Sequence, residues 1–166
     1  MRRLALCALL LFALAPVASG AAGDVKLDWH EQIKDGHGHV VMTFRVHGLV
    51  VDKTGWAAAI TFRNTSGHTV RITPDFGLAL YKTSKPGGHP DRFLPAVQSK
   101  PNLPRTLAPG ARWTGAVGGP GKPPAGMYVR VVFGHFGGLD VSGFPGGFVW
   151  ITDHAYRMPK PTGPVA

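Results

Sequence analysis

Residues 127–136 read Met127-Tyr128-Val129-Arg130-Val131-Val132-Phe133-Gly134-His135-Phe136, and they decide the fold class. Met127, Val129, Val131 and Phe133 recur with period two, the side-chain period of a β-strand. Tyr128, Val132 and Phe136 hold the other parity, so both faces are apolar. A strand apolar on both faces sits inside a sheet and is covered on each side. On its C-terminal side lies a glycine-rich loop, 137–147, and then a strand over 148–157 with Phe148, Trp150 and Tyr156 in register. On its N-terminal side, Gly118 to Gly126 forms a glycine-proline turn. Before that, Leu107-Ala108-Pro109-Gly110 launches a strand over 111–117 carrying Trp113 and Val117.

The first half of the chain repeats the pattern. Val25, Leu27, Trp29 and Ile33 share one parity, and Val40, Met42, Phe44 and Val46 share another. Asp35-Gly36-His37-Gly38 between them is a turn sequence whose glycines supply positive φ, so a hairpin is expected. Trp56, Ala58, Ile60 and Phe62 alternate next. Asn64-Thr65-Ser66-Gly67 ends that strand, and Val70 and Ile72 carry its partner in a second expected hairpin, closed by Pro74-Asp75. A fifth strand falls over 76–82. The polar, Pro/Gly-rich stretch from Thr83 to Pro104 reads as a long loop, pinned by Phe93, Leu94 and Val97. Eight short strands separated by Gly/Pro turns, with no helix, predict a single all-β sandwich. Trp29, Phe44, Ile60, Phe62, Val131 and Phe133 are its expected core.

The chain opens on Met1-Arg2-Arg3, runs apolar from Leu4 to Ala15, and closes with the small residues Ala18-Ser19-Gly20-Ala21. Basic start, apolar middle and small-residue end describe a cleavable signal peptide over 1–22. The apolar run is too short to span a bilayer, which takes about 20 residues. The expected layout is therefore 1–22 signal peptide, 23–158 sandwich and 159–166 disordered, proline-rich tail, with no membrane span in the mature chain. The single cysteine, Cys7, lies inside the signal, so the exported domain is held by its core without disulfides. About 146 residues suffice for that. Lys and Arg number 18 against 9 acidic residues, so the domain stays strongly basic without Arg2 and Arg3. Such a charge favours an anionic polymer or an envelope protein as partner. Export and the lack of a basic-aromatic stripe speak against nucleic acid.

Three turn motifs carry a resemblance. Phe62-Arg63-Asn64-Thr65-Ser66-Gly67-His68-Thr69-Val70 ends one apolar strand and starts the next. Leu107 to Trp113 is a Leu-x-Pro-Gly turn before a tryptophan strand. Pro124-Ala125-Gly126-Met127-Tyr128-Val129 is a Pro-x-Gly-x-Tyr-x-Val strand start. With these, residues 56–136 resemble exported bacterial immunoglobulin-like domains and, more remotely, the intracellular proteinase inhibitor-type sandwich. The resemblance implies an immunoglobulin-like β-sandwich. Its motifs are turn chemistry, so they speak to fold and not to function.

Candidate chemistry is sparse. His37 and His39 are two apart, which on a strand places both imidazoles on one side. Imidazole suits Zn and Cu, although structural zinc takes four ligands and catalytic zinc three. Glu31 is the only glutamate, no Gly-x-Ser-x-Gly elbow is present, and the mature chain has no cysteine nucleophile. No enzyme activity and no cofactor are expected. Leu139, Val141 and Phe144 sit on the adaptable 137–147 loop and form a candidate partner-binding patch. Together these features describe a secreted or periplasmic, non-enzymatic binding or structural module. Metal binding through His37 and His39 is the alternative, and inhibition of an extracellular protease a further one.

Overall fold

The computed structural model describes residues 24–84, 89–139 and 147–159. The expected signal peptide over 1–22 and most of the expected 159–166 tail lie outside these residues. The described chain is all β, without helices. Its strands are β1 (Asp24–Lys34), β2 (Val40–Val51), β3 (Gly55–Asn64), β4 (Val70–Tyr81), β5 (Arg92–Pro95), β6 (Gln98–Lys100), β7 (Thr106–Leu107), β8 (Arg112–Pro120), β9 (Tyr128–Gly137), β10 (Phe148–Ile151) and β11 (Tyr156–Arg157). They form two antiparallel sheets. The first has the order β1-β2-β3-β8-β6, and the second β10-β9-β4-β5, with β11 added to β9 and β7 to β4.

The inner faces meet through aromatic rings. Phe44 of the first sheet touches Phe133 and Phe136 of the second, at centroid separations of 4.9 and 5.3 Å. Phe62 packs on Phe136 at 5.6 Å and on its own neighbour Trp113 at 5.4 Å. Such edge and offset pairs add about 0.5–1.5 kcal/mol each beyond the area they bury. Phe44, Ile60, Phe62, Val131 and Phe133 are buried as their periodicity requires. Trp29 is only half-buried. It lies on edge strand β1 just past a bulge, where Asp28 takes a left-handed φ of 61°.

Four further expectations change. Pro74-Asp75 does not separate two strands. It forms a bulge inside the continuous β4, where the two residues Pro74 and Asp75 stand opposite one, Gly134, on β9, a position that tolerates the missing proline N–H. The Asn64–Gly67 turn does not close a hairpin, because both edges of β3 are already taken by β2 and β8. It is a corner that carries the chain from one sheet to the other. The fully buried Asn64 carboxamide holds it, donating to the carbonyls of His68 (2.7 Å) and Leu107 (2.9 Å) and accepting from Ser66 N (2.9 Å). Phe136 faces inward with Phe133, three residues away, because Gly134 at φ 69° breaks the alternation. A side chain at Gly134 would lie 2.6 Å from the Thr73 carbonyl. Lastly, the 83–104 stretch contains β5 and β6. Leu94 pins it to the core, whereas Val97 is 69% exposed.

The β1–β2 hairpin forms as expected. Asp35 Oδ1 accepts from the backbone N–H groups of His37 and His39, both at 2.9 Å, and Gly38 adopts φ 86°.

Candidate functional site

The inner row Glu31–Phe44–Phe62–Trp113 of the first sheet is flanked by two rows that point to solvent. One runs Gln32–Thr43–Arg63–Arg112 and the other His30–Arg45–Thr61–Thr114, each from β1 through β2 and β3 to β8. All of these residues but Thr114, together with Glu31 and Phe44, line a shallow groove of about 410 Å³. Alternation alone turns the two rows outward, because every second residue of the same strands is in the core.

The groove is cationic. Arg45 donates through Nε (2.9 Å) and Nη2 (2.6 Å) to Asp28 Oδ1, which also lies 3.1 Å from His30 Nε2. The Arg45 hydrogen bonds hold the Asp28 carboxyl below the usual carboxylate range. Arg63 donates Nε to the Gly110 carbonyl at 3.2 Å. Among the described residues, neither Arg63 nor Arg112 has a carboxylate within ion-pair distance. They nevertheless stand directly opposite each other across β3 and β8. Like charges so placed repel and destabilise the pair. Between the rows runs a hydrogen-bonded chain: His47 Nε2 is 2.8 Å from Thr61 Oγ1, which is 2.9 Å from Thr114 Oγ1. Partial burial, and then the Arg45 charge, lower the His47 pKa from its ordinary value. Three arginines and two histidines therefore gather beside two carboxylates, Asp28, which Arg45 holds, and the buried Glu31, whose oxygens turn to Trp150 and Asp153. The arrangement attracts anions and offers them forked N–H donors and hydroxyls.

The residues singled out from sequence lie elsewhere. His37 and His39 sit at the exposed β1–β2 turn with ring centroids 6.3 Å apart, and His39 Nδ1 is 3.3 Å from Asp35 Oδ2. No group of three or more His, Cys, Asp or Glu side chains among the described residues is placed to hold a metal ion. Leu139 is 4% exposed and belongs to the core, so it offers no surface to a partner. Val141 and Phe144 lie outside the described residues.

One polar cluster was not anticipated. Glu31, on β1, is buried to 5% and reaches across to the chain between β10 and β11. Its Oε2 accepts from Trp150 Nε1 at 2.6 Å, and its Oε1 accepts from Asp153 N at 2.7 Å and lies 3.1 Å from His154 Nδ1. Trp29 stacks on His154 at 5.7 Å. The clasp ties the open edges of the two sheets together. Its signal was present in the parity: Glu31 stands between Trp29 and Ile33 on the apolar register of β1.

No protein-family model, curated protein or solved structure matches this chain. The site rests on the chemistry of its own residues.

Proposed function

We propose that this chain is an exported, non-enzymatic immunoglobulin-like module that binds an anionic polymer of the cell envelope on the outer face of its five-stranded sheet. The observation that carries this reading is the cationic groove, in which Arg45, Arg63 and Arg112 gather while the carboxylates beside them are already engaged, Asp28 by Arg45 and Glu31 by Trp150 and Asp153. The strand order supports the fold. Strands β2-β3-β8-β6 facing β10-β9-β4-β5 correspond in chain order to the A-B-E-D and G-F-C-C′ sheets of an immunoglobulin-type Greek key, with β1 added at the A edge. The Met1–Ala22 pattern supports export.

The test is equilibrium binding of the mature protein to dextran sulfate across a salt series. Affinity should fall as salt rises, because the screening length shrinks from about 10 Å at 0.1 M to about 3 Å at 1 M. The triple variant Arg45→Ala/Arg63→Ala/Arg112→Ala should bind at least about tenfold more weakly, one such step being about 1.4 kcal/mol. Salt-independent binding, or a triple variant that binds as well as the parent, overturns the reading.

A further inference from the structure

We propose that Arg63 and Arg112 form a receptor for one doubly charged tetrahedral oxyanion, a phosphomonoester borne by that polymer. This deepens the reading above and rests on it.

The argument starts from position. Arg63 is the last outward residue of β3 before the Asn64 corner, and Arg112 the first of β8 after the Pro109-Gly110 turn. The same corner holds both. Asn64 N donates to the Ala111 carbonyl (3.0 Å), Gly110 N donates to the Asn64 carbonyl (2.9 Å), and Gly110 keeps φ 74°. The Gly110 carbonyl in turn receives Arg63 Nε. Two exposed guanidiniums are thus anchored at the root by one of the most densely hydrogen-bonded points of the fold. Anchoring of this kind lowers the ordering cost of binding.

Charge and geometry then select the ligand. Each guanidinium is a planar fork of N–H donors. A carboxylate is planar and singly charged, and one fork satisfies it in bidentate fashion. It would leave the second arginine facing an already neutralised pair. A phosphomonoester carries about −1.5 to −2 charges near neutral pH and three acceptor oxygens in different directions. It therefore answers two adjacent forks at once and cancels their mutual repulsion. The adjoining row offers the Thr61 and Thr114 hydroxyls, 2.9 Å apart, to the remaining oxygen. Arg45 does not compete for this role, since Asp28 already occupies its fork.

Two matched probes test the proposal: dextran carrying phosphomonoester groups, and the same dextran carrying carboxymethyl groups at equal charge density. The parent protein should bind the phosphorylated polymer at least about tenfold more tightly, since bidentate arginine recognition discriminates by geometry as well as charge. Arg112→Lys keeps the charge and removes the fork. It should abolish that preference, so that affinity for the phosphorylated dextran falls to that for carboxymethyl-dextran, while the melting temperature is unchanged. Equal affinity of the parent for both polymers overturns the phosphomonoester assignment. So does an Arg112→Lys variant that keeps the preference. Tighter capture by vesicles containing phosphatidic acid than by phosphorylated dextran overturns the polymer as its source. In each of these cases salt-dependent dextran sulfate binding, and its loss in the triple variant, still reports separately on the broader reading.

Discussion

The outer faces of the two sheets make opposite use of arginine. On the first sheet, Arg63 and Arg112 stand exposed and opposed, with no carboxylate within ion-pair distance among the described residues. On the second, Arg130 is only 7% exposed, donates Nη2 to the Asp153 carbonyl at 2.6 Å, and lies 5.8 Å above the Tyr81 ring. Tyr81 pairs with Tyr128 across β4 and β9, and Arg157 lies 5.7 Å over Tyr128. Ala79, Tyr81 and Val132 form a small second core there, with Tyr128 and Ile151 packed around it. Arg130 is a strut: its stem packs and its head group is held by a carbonyl and a ring face, with Nε left unpartnered. An exposed arginine opposite another arginine, without a carboxylate in ion-pair reach, keeps guanidinium donors for a ligand. The same residue type on the same architecture thus supports the fold on one face and is free to bind on the other.

Substitutions on the two faces should separate most widely in stability. Tyr81→Ala is expected to cost about 3 kcal/mol, as a buried aromatic truncation does. Arg112→Ala should stay within about 0.5 kcal/mol. Urea unfolding of both variants measures the contrast, and equal losses would erase the distinction between strut and donor.

The clasp that joins the edges of the two sheets should give an intermediate effect. Glu31→Ala leaves Trp150 Nε1 and Asp153 N without their acceptor. Stranding buried donors costs about 1–3 kcal/mol. The loss should appear in chemical unfolding together with a change in tryptophan fluorescence, since Trp150 also stacks on Phe44 at 5.8 Å. An unchanged midpoint would mean that the sheets are held at this edge by packing alone.

The smallest effect is a pH response confined to the first sheet and its loops. Folding lowers the Asp28 pKa below 3.8 through the Arg45 hydrogen bonds, that of Asp35 through the His39 N–H, and that of Asp52 through Thr54. A carboxylate with a depressed folded pKa contributes stability above its unfolded value and loses it as pH falls through the folded one. His47 acts in the same sense at higher pH. Its folded pKa lies below 6.5, so the unfolded chain takes up the proton first and stability declines as pH drops under about 6.5. Melting temperature should therefore fall gently below pH 6.5 and more steeply below pH 4. Asp28→Asn should flatten the lower limb, whereas Arg130→Lys, on the other face, should leave the shape of the curve unchanged.

Much of this molecule was legible in advance. The strands were, because alternation is local: each of β1, β2, β3 and β9 carries apolar residues two apart, and Trp113 and Val117 of β8 share one parity. The irregular points were not. Gly134 and the Pro74-Asp75 bulge shift parity without interrupting the strands, so Phe136 reads as outward until β4 is laid beside it. The histidine pair and the 137–147 loop drew attention through composition, yet composition carries no information about convergence.

The sequence by itself determined an all-β chain, its buried aromatic ladder and its excess of positive charge, since these depend on residue type and on neighbours two positions away. The tertiary structure alone decided which strands share a sheet, and hence that the Asn64 turn is a corner. It alone brought Glu31 to Trp150 and set Arg63 against Arg112. Those pairs lie far apart along the chain, and only the register of strands that meet through the core brings them within reach.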